Sequence, residues 1–227
     1  MGNFKNILAA TFILFVCVAP AIAQESDFGT WISVELEKKL TDKLRLEFEE
    51  EIRIFQNLSE IDRFGTSLGA SWTFNKFFRM GTAYSWLYKN RVNLDEWEHR
   101  HRLILYARGR IKADRFTLTL RERFQSTYRD ESIEGFKYNP RNYLRSRFEA
   151  SYDIKGSKVA PYTSVEMYYQ LNNPKGNEID NMRYTLGAEW PLSGTLTIDN
   201  FVRLDKEMNA KNPLSLWIAG VAFKLGW

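Results

Sequence analysis

Cysteine is nearly absent from this sequence, with one in 227 residues, at position 17. Histidine is almost as scarce and occurs only as His99 and His101. Neither a zinc–cysteine site nor a histidine metal cluster can be assembled from so few ligands, and a cysteine nucleophile would have to come from Cys17. Glycine-rich phosphate loops are missing as well. Beyond the first 23 residues no run approaches 18 consecutive apolar residues, which excludes a spanning helix. Neither sign of charge dominates, since 32 Lys and Arg face 28 Asp and Glu. A nucleic-acid partner therefore has little support.

Residues 1–23 read as a secretory signal peptide. Lys5 is their only charge, an apolar run follows from Ile7 to Val18, and Ala21 and Ala23 supply the small residues of a cleavage site. Val16, which is not small, argues against a lipoprotein signal at Cys17. The expected mature domain is 24–227, free of thiols and suited to an oxidising compartment. Aromatic residues make up 15% of the chain. That share, with a negative mean hydropathy, fits a membrane barrel in which alternate residues face a polar lumen.

The segment LRLEFEEEIRIF (44–55) permits either an acidic amphipathic helix or a strand, because Leu44, Phe48 and Ile52 are four apart. The rest of the chain decides. In RFTLTLRERFQSTYR (115–129), Phe116, Leu118, Leu120, Phe124 and Tyr128 share one parity, while Thr117, Thr119, Arg121, Arg123 and Gln125 share the other. That period of two is a strand. It recurs in FGTSLGASWTF, FRMGTAYSWLY, LRSRFEASYDI, NMRYTLGAEWPL and LWIAGVAFKLGW.

Short turns are expected near residues 41, 75, 113, 156 and 193, and longer loops near 57–63, 91–98, 130–141, 172–181 and 205–215. Short turns at one end and long loops at the other, with an aromatic C-terminus at Trp227, indicate a monomeric all-β, antiparallel, up-and-down transmembrane barrel of 10–12 strands in a bacterial outer membrane. Eleven segments are countable from TWISVELEKKL (30–40) onward. An odd number requires residues 24–29 to thread the lumen, an irregular first segment, or an overlooked strand. A soluble β-sandwich or a periplasmic lipid-binding barrel is the competing fold and would reverse the two faces. Outer-membrane lipid, and the insertion machinery reading the strand that ends at Trp227, are the expected partners. An extracellular partner or solute stays open.

FGTWISVELEKKL, EEEIRIF, EHRHRL, LRERF, YLRSRFEASY and NNPKGNEIDNMRYTLGAEW, in this order and spacing, resemble the outer-membrane family catalogued as domain of unknown function 2490. The resemblance implies a β-barrel and supplies no catalytic residue.

Chemistry would reside on the polar face, which carries Glu47, Glu49, Glu51, Arg53, Arg100, Arg102, Arg108, Arg110, Arg121, Arg123, Arg145, Arg147, Glu149, Arg183, Glu189, Asp199 and Arg203. In a barrel of this size these charges form either a salt-bridged filling that fixes the wall or a narrow polar, anion-binding pore. Glu50 and Glu122 fall on the apolar parity, which a local bulge would explain. If residues 112 and 115 flank their turn, His101 lies across from Ser126, with Glu122 farther along. That is the arrangement an outer-membrane lipid hydrolase would need. NNPKGNEIDN offers oxygen ligands for calcium without the spacing of a calcium loop. No cofactor is implied.

Overall fold

The computed structural model describes residues 26–129 and 139–227; the expected signal peptide and most of the 130–141 loop lie outside the described residues. The described residues form eleven strands, β1 (Ser26–Lys39), β2 (Leu44–Phe55), β3 (Glu60–Thr73), β4 (Phe78–Arg91), β5 (Glu96–Ala113), β6 (Phe116–Arg129), β7 (Arg141–Tyr152), β8 (Ala160–Gln170), β9 (Glu178–Pro191), β10 (Leu196–Glu207) and β11 (Ser215–Gly226). They close into one barrel in sequence order. A strand of 12 residues is about 40 Å long, and at the usual barrel tilt of about 40° it rises about 30 Å, the thickness of a bilayer core.

The strand count is odd because β1 is a regular strand from Ser26 onward, so residues 26–29 lie in the wall rather than threading the lumen. It runs parallel to β11 from Ser26↔Ser215 to Glu37↔Gly226. Closing an up-and-down barrel with an odd number of strands forces its first and last strands to run the same way. The antiparallel expectation holds at every other junction and fails at this seam. Ser26 therefore lies at the long-loop end, while Lys39 reaches the other end and donates its backbone N–H to the carbonyl of Trp227 at 2.9 Å.

The strands run further into the loops than alternation suggested. The 57–63 loop is a turn over residues 56–59, with Gln56, Asn57 and Leu58 at positive φ. The 91–98 loop shrinks to 92–95. Conversely, the expected short turn at 156 spans residues 153–159.

The two faces have the polarity of a membrane barrel. Leu68, Leu120, Phe148 and Leu186 point outward and are more than half exposed, whereas Ser33, Gln125, Arg145, Glu166, Arg183 and Asp199 point inward and are buried. This excludes the soluble arrangement with an apolar interior. Exposed rings cluster at both ends of the wall. Phe74 packs on Phe78 and Phe116 on Tyr152 near the short turns; Trp86, Tyr88, Trp97 and His99 stack near the long loops.

Bulges occur, but not where the carboxylates on the apolar parity suggested. Register is continuous through Glu50 and Glu122. Both face outward, each taking a hydroxyl from the next strand: Thr66 Oγ1 donates to Glu50 Oε2 at 3.1 Å and Ser146 Oγ to Glu122 Oε2 at 2.7 Å. The register shifts fall between Arg53 and Ile54 against β3, and between Tyr168 and Tyr169 against β9. Each inserts an aspartate, Asp62 or Asp180. The first bulge puts Asp62 beside Arg63, where Arg63 Nε donates to it at 2.5 Å. Strict alternation would have separated them.

Candidate functional site: a lumen with opposed charged walls

The register sets like charges opposite one another on two sides of the lumen. On β1 and β2, Glu35 stands opposite Glu49 and Glu37 opposite Glu47. On β5 to β7, Arg108 stands opposite Arg121, Arg121 opposite Arg147, and Arg123 opposite Arg145. Like charges directly opposite one another destabilise a sheet. Each wall therefore needs counter-charges from across the lumen, or water.

Part of the basic wall finds them. Glu166 on β8 accepts from Arg121 Nη2 at 3.0 Å and Arg145 Nε at 3.1 Å, with Arg183 Nη1 at 4.0 Å. Arg145 also donates to Gln125 Oε1 at 2.9 Å and Tyr168 Oη at 2.6 Å. Arg183 donates to Asp205 through Nε at 2.6 Å. Lower in the wall, Lys224 Nζ lies 2.8 Å from Asp199 and 2.9 Å from Glu189. Arg147 pairs with Glu149, Arg53 with Glu51 and Arg100 with Glu98.

Rings seated on glycines hold this lattice in place. Tyr106 lies over its register partner Gly81, where an added Cβ would sit 2.5 Å from the ring, and its hydroxyl donates to Glu47 at 2.8 Å. Tyr162 covers Gly187 in the same way and donates to Asp199 at 2.9 Å. Only a residue without a side chain leaves room for a ring lying flat on the wall.

Glu37 is held by Arg45 and Arg79, but other lumen charges have no ion-pair partner. Among the described residues, Arg102, Arg108, Arg110, Arg123 and Arg203 have no carboxylate within 4.0 Å, and Glu35, Glu47 and Glu49 have no cation within that distance. Glu47 is held by the hydroxyls of Ser71 and Tyr106, and Arg102 Nε reaches only Thr127 Oγ1 at 3.2 Å. All eight residues line one cavity of about 1040 Å³. Its lining extends from Gly194 at the short-turn end to Leu214 at the long-loop end. Trp31 projects into it, with the guanidinium carbons of Arg53, Arg203 and Arg183 at 3.4, 4.5 and 5.6 Å from its ring centroid. Cation–π attraction of this kind holds an arginine without neutralising it.

Every lumen charge expected from the alternation lines this cavity except Arg100, which is tied to Glu98. Glu35, Glu37, Asp62, Arg63, Arg79, Glu166, Asp205 and Lys224 also line it and are not among the expected charges. Glu35, Glu37, Glu166 and Lys224 lie on strands that carry no arginine to draw attention to their polar face, Asp62 and Arg63 fall in the segment expected to be the 57–63 loop, and Asp205 at the start of the expected 205–215 loop.

The histidine–serine pair does not assemble. The β5–β6 turn is Asp114–Arg115, which puts His101 opposite Tyr128 and Ser126 opposite Leu103. His101 Nδ1 lies 2.6 Å from Tyr84 Oη instead. In the 172–181 segment, Glu178 accepts from Asn173 Nδ2 and Asp180 from Tyr143 Oη, so these carboxylates have partners within the protein.

No curated protein matches the chain in sequence. Among solved structures, a chain described as KdgM porin superposes with a TM-score of 0.42 at 12% identity, covering 78% of this chain and 89% of that one. The family model described as "Protein of unknown function (DUF2490)" matches residues 28–212, and the chain belongs to that family.

Proposed function

We propose that this protein is an outer-membrane barrel whose lumen binds and passes small polar or anionic solutes. The observation that carries the reading is the set of unpaired guanidinium groups, Arg102, Arg123 and Arg203 above all, lining a cavity that extends along the barrel. Guanidinium groups not committed to carboxylates can accept carboxylate or phosphate oxygens in a bidentate fork. Membrane residence is supported by the apolar outward face between two belts of rings, which would be costly in water and is the covering lipid requires. The paired charges around Glu166 supply the stiffness of the wall, so filling and passage are divided between residues.

Fractionation of expressing cells, followed by reconstitution of the purified barrel into a planar bilayer, tests both halves. Outer-membrane residence, a gel mobility that changes on boiling, and stepwise conductance are the expected results. A soluble protein would overturn the location, and a membrane-inserted barrel without conductance would overturn passage.

A further inference from the structure

Unpaired charges of both signs line the lumen; Glu35 and Glu49 stand on one wall and Arg102 and Arg123 on another, with Arg203 on β10 nearer to β1. Glu35 and Glu49 share one level of the β1–β2 wall as register partners. Arg123 stands on β6, five strands round from β1 and four from β2 in a ring of eleven, so it is nearly diametrically opposed. Tyr106, the register partner of Arg123, reaches Glu47, two residues from Glu49, with its hydroxyl, which places the two walls at matching depth. Neither Arg123 nor Arg102 closes to 4.0 Å on those carboxylates, and the cavity lies between the walls. Glu51 Oε1 and Arg203 Nη1 are buried with no hydrogen-bond partner among the described residues.

A solute in this gap meets carboxylates on one side and guanidiniums on the other. A simple anion gains from one wall and is repelled by the other; a simple cation has the reverse problem. A molecule carrying both charges satisfies both walls at once, its field aligned with the lumen's. We infer that the lumen selects zwitterionic solutes, taking a carboxylate on Arg102 and Arg123 and an ammonium on Glu35 and Glu49. The inference rests on the passage reading above and names its solute class. Nothing covalent is involved, and recognition comes from opposed fixed charges across a narrow polar passage.

Liposomes containing the purified barrel test it with three probes of nearly equal size: alanine, its uncharged isomer lactamide, and lactate. Alanine is expected to enter several-fold faster than lactamide. In Glu35→Gln/Glu49→Gln that advantage disappears while lactate entry rises, because the repelling wall has been neutralised. The double substitution removes facing like charges and is expected to fold; heat-modifiable mobility confirms this in the same preparation. If lactate enters and alanine is no faster than lactamide, the zwitterion inference fails and the passage reading stands. If none of the probes enters faster than into empty liposomes, both fail. An alanine advantage that survives the double substitution overturns the assignment to Glu35 and Glu49.

Discussion

On the β6–β9 side of the lumen, Glu166 gathers Arg121, Arg145 and Arg183, and Asp205 completes the set from β10. On the β1–β2 side, Glu35 and Glu49 face each other with no cation within 4.0 Å among the described residues. Both regions are built from the same residue types, on strands of the same pitch. They differ in whether the opposite charge on a neighbouring strand is free to pair: Lys224 on β11 is the register partner of Glu35, but its ammonium is held by Asp199 and Glu189. Where β8 contributes Glu166 between arginines of β6, β7 and β9, the charges bind one another and stiffen the wall. Where β1 and β2 adjoin, Glu37 and Glu51 are paired with Arg45 and Arg53, but Glu35 and Glu49 are left without an ion-pair partner among the described residues, and their charge is available to a solute. Residue type alone does not separate a structural charge from a functional one; the strand beside it does.

Breaking the paired region should have the largest effect. Glu166→Gln leaves the buried Arg145 and Arg183 and the half-buried Arg121 without their shared carboxylate and should cost about 3–5 kcal/mol, the usual consequence of removing one partner from a buried ionic cluster. Urea unfolding of the lipid-reconstituted barrel, followed by heat-modifiable mobility, would show it. Next comes the lattice that seats the pairs. Gly187→Val places a side chain where the Tyr162 ring lies and should cost about 1–3 kcal/mol, as overpacking does. Tyr162→Ala in the same chain should recover part of that loss, a non-additivity the unfolding midpoints would reveal. The unpaired region should respond least. Arg102→Gln/Arg123→Gln is expected to change stability by less than about 1 kcal/mol in the same assay, because no ion pair is lost. A large loss there would erase the distinction between the regions.

Much of this barrel was legible in the sequence. The period of two in RFTLTLRERFQSTYR identifies a strand and sorts Arg121 and Arg123 onto one face, and the same rule puts Glu47, Glu49 and Glu51 of LRLEFEEEIRIF in the lumen. What stayed illegible depends on contacts between distant or irregular pieces. The parallel seam joins Ser26 to Ser215, and no local pattern records which termini meet. The bulges at Asp62 and Asp180 break the parity that the reading relied on. The two-residue turn falls at Asp114–Arg115, with Asp114 at positive φ, one residue later than the expected turn between residues 112 and 115; this puts His101 opposite Tyr128 rather than Ser126 and dissolves a catalytic suggestion. The pairing state of each arginine follows from register with strands far along the chain. It could not have been read from its own strand.

The most direct test of the division between paired and unpaired charge is the reversal potential of the reconstituted barrel in a potassium chloride gradient. Wild-type barrel should favour chloride over potassium, and Arg102→Gln/Arg123→Gln should reduce or reverse that preference while the barrel remains as resistant to urea as before. An unchanged reversal potential in the folded double variant would contradict the assignment of solute selection to the unpaired arginines.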